Sequence, residues 1–217
     1  MRNEVLLHIF DDGNVHVEIT EGVKVTTKSI AVDTLVKCIK SSLRSTLIQS
    51  GLLPRNVVAT AFSTDGSYRR VIVELASERA TITYGNTEYE NFPLPRMLFA
   101  FKVAQNGRVS GVEVAVCGQG KLTPETPLYY YPFSNVNGFN MCTGGNPLPK
   151  IESLSQLENL PDFIVSIPDN DDYYKDDHNS LNLGHRDLLE HLRDKDRQYY
   201  YDRILVPMKN QTLQNFL

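Results

Sequence analysis

Nucleophilic chemistry in this sequence could centre on one cysteine in a glycine-rich segment. Residues 131–149 read YPFSNVNGFNMCTGGNPLP, and Cys142 lies between Asn137-Gly138 and Gly144-Gly145. Small residues on both sides would let another chain approach the sulfur and would expose backbone N–H groups. Loops also contain inert thiols, so these residues alone leave two interpretations open, a nucleophile and a structural thiol.

The other two cysteines have different surroundings in the sequence. Cys38 falls within a helical pattern beside Leu35 and Ile39, and Cys117 ends an alternating strand pattern. Both settings favour small, buried side chains. Three cysteines without a Cys-x-x-Cys pair indicate neither a disulfide framework nor a zinc site. We expect free thiols in a reducing, cytoplasmic compartment.

Histidines and acidic residues do not form a metal-binding pattern. His185 and His191 are six residues apart, so a helix would not place both on one face. The acidic stretch 169–177 is like a calcium loop in charge, but it has Tyr174 in place of the glycine and Ser180 in place of the glutamate. We therefore predict no metal site, and a solvated acidic loop.

Composition argues against several classes of function. The 217 residues contain 22 Lys plus Arg and 26 Asp plus Glu, a net charge of −4, without the basic cluster that nucleic acid requires. No glycine-rich phosphate cradle is present, so no nucleotide cofactor is expected. No apolar run approaches the ~20 residues of a membrane span, and the first residues do not resemble a signal peptide. These features predict a soluble cytoplasmic protein that contacts neither membrane nor nucleic acid directly.

Hydrophobic spacing predicts a β-hairpin at the N-terminus and then a helix. Alternating runs within residues 1–30 flank a turn signal at residues 11–13. Apolar residues recur every four positions over 31–50, with a stop signal at Gly51. We therefore divide the chain into an N-terminal hairpin over 1–30 and a domain over 31–217.

Strand patterns follow at close spacing and predict a four-stranded antiparallel meander. They cover residues 68–76, 80–84, 97–103 and 108–117. The last strand alternates well enough to bury only one face, which the predicted helix could cover. The predicted fold class is α+β, a helix packed on a four-stranded antiparallel meander.

The region after the meander lacks periodicity but contains many aromatic residues. Residues 118–150 are rich in Pro, Gly and Asn, and a structureless connection of that length is uncommon. Its tyrosines and phenylalanines need burial, which predicts an ordered loop packed on the body. Helical patterns follow at 152–160 and 184–200, and residues 201–217 suggest a strand-like or extended tail.

This order of elements resembles the fold of ubiquitin-conjugating enzymes. In that family a His-Pro-Asn triplet is followed by an aliphatic residue, a turn glycine and the thioester-forming cysteine. Here Asn135-Val136-Asn137-Gly138 leads to Cys142, seven residues after Asn135, and Phe133-Ser134 replaces His-Pro. More closely, FPLPRMLFAF, LTPETPLYYYPFSNV and NPLP resemble the bacterial ubiquitin-conjugating-like group known as PRTRC system protein B.

The resemblance implies roles for several residues. Cys142 would carry a ubiquitin-like protein as a thioester, with help from backbone N–H groups near Gly144 and Gly145. Asn135 either donates to the oxyanion formed on transfer to an amine or merely caps its turn. An acidic side chain that folds back over the cysteine would deprotonate the acceptor amine, and the candidates are Asp169, Asp171 and Asp172.

The resemblance also implies partners and leaves an alternative function. Genes of this group lie beside a ThiF-like adenylating enzyme, a small ubiquitin-like protein and a JAB-type peptidase, so the expected activity is that of an acyl-carrying transferase. The alternative is a catalytically inactive binding or scaffold component of a plasmid-associated, PRTRC-type operon.

Overall fold

The computed structural model describes residues 4–42 and 49–217 of the chain. The chain divides into two compact units, Met1–Gln49 and Ser50–Leu217. The boundary that we predicted after residue 30 lies within the first unit, because strand and helix follow there without a linker.

The described residues of the first unit form a three-stranded antiparallel sheet and one helix. Its strands are β1 (Glu4–Ile9), β2 (Asn14–Glu21) and β3 (Lys24–Ala31), in the order β1-β2-β3. The predicted hairpin is therefore present, with β3 added to it. Its turn is closed by the Asp12 carboxylate, which accepts a hydrogen bond from the Asn14 N–H at 2.9 Å.

Helix α1 (Val32–Ser42) directly follows β3. Part of the predicted helix, residues 43–48, lies outside the described residues, and residues 49–50 are not helical. No α1 residue is buried. The prediction of a buried Cys38 is consequently wrong, because helical spacing identifies an apolar face but does not show that another layer covers it.

The second unit is built around one antiparallel sheet. Its strands run in the order β4-β5-β8-β9, a meander, and short strands of the following loop extend it beyond β9. The bounds are β4 (Val57–Phe62), β5 (Tyr68–Glu74), β6 (Arg79–Tyr84), β7 (Thr87–Pro93), β8 (Met97–Ala104) and β9 (Val109–Cys117).

The four-stranded meander is present, but one of its strands differs from the prediction. Residues 80–84 do form strand structure in β6, yet β6 pairs with β7 as a separate two-stranded ribbon. The fourth strand of the meander is β4 instead, which pairs with β5. Periodicity missed β4 because its second half, from Thr60 to Phe62, is exposed and alternates poorly.

One face of the meander packs against helical segments of the same unit. These segments are a 3₁₀ helix (Leu154–Asn159), α2 (Leu160–Val165), α3 (His185–Leu192), α4 (Arg197–Tyr199) and a π-helix (Tyr200–Ile204). A 3₁₀ turn without buried residues (Asp176–His178) lies between α2 and α3 in the chain. Val71, Phe99 and Phe101 of the sheet share a buried cluster with Leu157, Ile164, Leu188 and Tyr200. The second unit thus covers this face with its own helices.

The opposite face of the meander is also covered. Ala115 and Cys117 of β9 are buried there with Leu128, Leu213 and Phe216. These partners belong to β10 (Pro127–Tyr129) and to the C-terminal segment formed by β13 (Pro207–Thr212) and α5 (Leu213–Phe216). The expectation that β9 buries only one face is therefore wrong, since its small side chains let this segment approach closely.

Several later elements agree with the sequence patterns. The loop region 118–150 is ordered and packs Tyr131 and Phe133 into the core, as predicted. The predicted helix over 184–200 is divided at Arg193–Asp196 into α3 and α4, and the extended tail contains β13 but ends in a helix. Among the described residues, no helix has the length and apolar character needed to cross a membrane.

We predict that Gly107→Ala destabilises the second unit far more than Gly66→Ala. Both glycines have positive φ, +81° and +70°, which costs other residues about 1 kcal/mol. At Gly107, however, an added Cβ would lie 2.0 Å from the Ile151 carbonyl oxygen, whereas at Gly66 the nearest atom is 3.7 Å away. Denaturant unfolding should show a loss of about 3 kcal/mol or more for Gly107→Ala. Equal losses in the two variants would contradict the close contact with Ile151.

Candidate functional site

Cys142 lies at the exit of a small hairpin on the edge of the main sheet. The hairpin consists of β11 (Val136–Asn137) and β12 (Asn140–Met141), with Gly138 at φ +63° in its turn. Strand β12 pairs with β9, and the Phe139 carbonyl accepts a hydrogen bond from the Val114 N–H at 2.8 Å. The hairpin is thus anchored to the meander while Cys142 is exposed.

The structure brings Asn135 and Cys142 together through their backbones. The Cys142 N–H donates to the Asn135 carbonyl at 2.7 Å, which closes the loop around the hairpin. Asn135 itself has φ +64°, a left-handed conformation that asparagine tolerates better than most residues. Its N–H donates to the Asp172 carbonyl at 2.7 Å. The two predicted residues are therefore joined by a backbone hydrogen bond.

The Asn135 side chain is bonded to a carboxylate. Asn135 is only 5% exposed, and its Nδ2 donates to Asp169 Oδ1 at 3.2 Å. The fully buried Ser134 hydroxyl donates to the same oxygen at 3.0 Å. The Asn135 amide group, for which the sequence left open the roles of oxyanion donor and turn cap, thus already has an internal partner in this structure.

Asp169 occupies an unusual position for a carboxylate. The residue is half-buried, and burial raises the pKa of its carboxyl group to about 7, against the lowering effect of the bonds from Ser134 and Asn135. No ion pair among the described residues involves Asp169. Its N–H donates to the Thr83 carbonyl of β6 at 2.7 Å. A solvated carboxylate was expected here, and this segment is instead tied to the protein body.

The neighbouring acidic residues are more exposed. Asp171 accepts a hydrogen bond from the Tyr84 hydroxyl at 2.9 Å and lies 3.4 Å from Nδ1 of His185. Asp172 is exposed, accepts a bond from Asn170 Nδ2 at 3.1 Å, and contributes its carbonyl to Asn135. Asp169 and Asp172 therefore both contact Asn135, and Asp171 and Asp172 present exposed carboxylates.

His185 helps to hold this acidic segment. Its Nδ1 lies 3.0 Å from the Asn170 carbonyl, and its ring stacks on Tyr174 and contacts Tyr84. Burial lowers the pKa of His185, so the neutral ring is the favoured form. In that form Nδ1–H can donate to the carbonyl. Sequence reasoning considered His185 only as a metal ligand and missed this structural role.

Phe133, which replaces the histidine of the family triplet, is a core residue. It is 4% exposed and makes edge-to-face contacts with Phe92, Tyr131 and Tyr200. Tyr131 is also buried, and burial together with the charge of Asp169 raises its phenol pKa well above the usual value. Aromatic rings therefore surround Phe133 in the core.

The predicted glycines form an exposed turn directly after the cysteine. Gly144 has φ +58°, and the Asn146 N–H donates to the Thr143 carbonyl at 3.1 Å. Within the described part of the chain, neither the Gly144 nor the Gly145 N–H donates a hydrogen bond. These two donors remain free for an incoming group.

The described residues contain no cluster of three or more His, Cys, Asp or Glu side chains that could hold a metal ion. The candidate groups of the site are a thiol, an amide, carboxylates and backbone N–H groups. Such groups are suited to acyl transfer through a cysteine.

The chain matches the model of one known protein family. The model of the prokaryotic E2 family D matches residues 31–208, most of the chain. The chain belongs to the prokaryotic E2 family D. E2 denotes the ubiquitin-conjugating class, so the predicted resemblance to a bacterial ubiquitin-conjugating-like group is confirmed. No curated protein and no solved structure matches the chain.

Thiol labelling of this family member should separate its three cysteines by exposure. Cys38 and Cys142 are exposed, whereas Cys117 is buried with a thiol pKa raised to about 11 by burial. We expect iodoacetamide to modify Cys38 and Cys142 in the folded protein and Cys117 only after denaturation. Peptide mass spectrometry would report each site, and protection of Cys142 equal to that of Cys117 would contradict the exposed loop.

Restoring the family histidine should destabilise this protein. Phe133→His would place a polar ring among aromatic side chains and cost about 2 to 4 kcal/mol of unfolding free energy. Phe133→Leu, the control, keeps an apolar side chain and should cost about 1 to 2 kcal/mol. Urea unfolding would measure both, and a Phe133→His protein as stable as the unaltered one would show that this position accepts the triplet.

Proposed function

We propose that the protein is an E2-like carrier that accepts a ubiquitin-like protein as a thioester on Cys142 and passes it to an amine. The observation that carries this proposal is the exposed Cys142 in a chain of an E2 family. Its backbone N–H donates to the Asn135 carbonyl at 2.7 Å, which holds the cysteine in its loop. Cys142 is the exposed cysteine of the second unit, in which Cys117 is buried.

Loading requires the thiolate. An ordinary thiol with a pKa near ~8.5 is only a few per cent ionised at neutral pH, so local dipoles or a partner must assist. The bond from Cys142 Sγ to the acyl carbon forms while the bond to the leaving group of the adenylating enzyme breaks. The thiol proton passes to solvent or to a base of the partner. The free N–H groups of Gly144 and Gly145 support assistance from this turn.

Transfer passes through a tetrahedral oxyanion. The amine nitrogen bonds to the acyl carbon, the carbon–sulfur bond breaks, and the Cys142 thiolate leaves. The Gly144 and Gly145 N–H groups are candidate donors to that oxyanion, since Asn135 Nδ2 is bonded to Asp169. The exposed carboxylates of Asp171 and Asp172 are candidate bases for the acceptor amine. In this scheme Asn135 supports the loop through its carbonyl.

The proposed partners are those that the resemblance to the PRTRC system protein B group implies. An E2-like carrier receives an activated acyl group from another enzyme, and the ThiF-like adenylating enzyme that the resemblance implies would supply it with a small ubiquitin-like protein. A JAB-type peptidase would remove the conjugate. We propose that these proteins act in the cytoplasm and that the chain is a member of the PRTRC system protein B group.

A second candidate function is a catalytically inactive binding or scaffold component of a PRTRC-type operon. The observation that favours it is the internal bond of the Asn135 side chain to Asp169, together with Phe133 in place of the triplet histidine. Under this alternative the ubiquitin-like protein binds, but no covalent bond to Cys142 forms.

Reconstitution with the partners separates the two functions. The protein is mixed with its operon's adenylating enzyme, the ubiquitin-like protein and ATP, and a non-reducing gel is run. The carrier function predicts an adduct that dithiothreitol removes, that Cys142→Ala abolishes, and that Cys38→Ala, the exposed-thiol control, retains. Co-elution of the ubiquitin-like protein without any such adduct would support the scaffold function, and an adduct on Cys142→Ala would contradict the assigned nucleophile.

A further inference from the structure

The carboxylate of Asp169 is a partly enclosed titratable group that the proposed transfer steps do not use. It accepts two hydrogen bonds at one oxygen, from Ser134 Oγ at 3.0 Å and from Asn135 Nδ2 at 3.2 Å. Asn135 in turn accepts the bond from the Cys142 N–H at 2.7 Å. A continuous chain of contacts thus runs from Asp169 through Asn135 to the backbone of Cys142.

The backbone of Asp169 is bonded to strand β6. Its N–H donates to the Thr83 carbonyl, and it forms a parallel bridge with Tyr84 of β6. Two contacts of the following residues add to this anchor, from Tyr84 to Asp171 and from His185 to Asn170. The carboxylate therefore extends from a supported segment to Ser134 and Asn135, directly before the hairpin that leads to Cys142.

We propose that Asp169 is the positioning residue of the Cys142 loop, holding Asn135 by its side chain and thereby the backbone of Cys142. Ser134 is its second contact on the loop. Proline, which the family triplet has at this place, has no hydroxyl to donate, so the Ser134 contact is specific to the sequence of this chain. The proposal deepens the proposed function by naming what holds the cysteine loop, but its test needs no acyl transfer.

Because Asp169 can ionise, the stability of the closed loop should depend on pH. Its folded pKa of about 7 exceeds the ordinary value of 3.8, so the protonated form favours the closed loop. Any opening that lets water reach the carboxyl group becomes easier as pH rises from about 4 to about 7, and changes no further above that. Loop closure is thus strongest in weak acid and weakest above neutrality.

Other titratable groups near Asp169 act in identifiable ways. Tyr131 faces it from the start of the loop and stays neutral, because its pKa is raised well above the usual value. His185 lies across the acidic segment against Asp171, and its lowered pKa means that its protonation in acid would weaken the folded site. His185 therefore acts in the opposite sense to Asp169, and variants of Asp169 that keep His185 separate the two effects.

Hydrogen exchange of the Cys142 amide tests the proposal on the full-length chain. Protection, corrected for the intrinsic exchange rate at each pH, should fall at least about tenfold between pH 5 and pH 7.5 and then level off. Asp169→Asn keeps an acceptor for Ser134 and Asn135 but cannot ionise, so its protection should vary much less with pH. Asp172→Asn, an exposed carboxylate of the same segment, is the matched control and should follow the unaltered protein.

A second variant tests the contact with the loop separately. Ser134→Ala removes one donor that stabilises the ionised carboxylate, so the pH at which protection levels off should move upward. An Asp169→Asn protein with the same pH profile as the unaltered one would overturn the proposal. So would an Asp169→Ala protein that retains full protection of the Cys142 amide while remaining folded by circular dichroism.

The two proposals fail in distinguishable ways. Loss of the dithiothreitol-sensitive adduct with a normal exchange profile would overturn the carrier function and leave Asp169 as the loop's positioning residue. A normal adduct on Cys142 with an exchange profile that is unchanged in Asp169→Asn would overturn the role of Asp169 and leave the carrier function.

Discussion

The hydrogen bond from the Cys142 N–H to the Asn135 carbonyl is the contact on which the site depends. It joins the two ends of a segment whose interior is a two-residue-per-strand hairpin, too short to be stable alone. This geometry requires a left-handed backbone conformation at Asn135, which costs roughly 1 kcal/mol. Its bonds to Asp172 and Asp169 keep it there. The position of the thiol is thus set by contacts of a neighbouring asparagine.

The rest of the second unit supplies rigid supports on both sides of that contact. On one side β9 pairs with β12 and fixes the hairpin to the meander, whose two faces are both buried. On the other side β6 and α3 hold the acidic segment that reaches Asn135. Sites placed between rigid elements keep their geometry better than sites on free loops. The exposed turn at Gly144 and Gly145 is left for approach by another chain.

Local patterns in the sequence predicted much of this fold, and non-local contacts explain the misses. Alternation identified the N-terminal hairpin, β5, β8 and β9, because strand periodicity is a property of adjacent residues. The tyrosines and phenylalanines of residues 118–150 indicated an ordered loop, and the spacing from Asn135 to Cys142 resembled that of ubiquitin-conjugating enzymes. The contact of Asp169 with Ser134 joins residues 35 positions apart, and no periodicity encodes it. Cys38 shows the same limit, since its exposure depends on which layers meet the helix.

The central claim, that Cys142 carries an acyl group, is tested most directly by the intact mass of the protein after incubation with its adenylating enzyme, ubiquitin-like protein and ATP. The account predicts one added ubiquitin-like protein less one water, localised to Cys142 and released by neutral hydroxylamine, which cleaves thioesters and spares amides. A mass that stays unchanged while the adenylating enzyme is active, or an adduct that resists hydroxylamine, would contradict it.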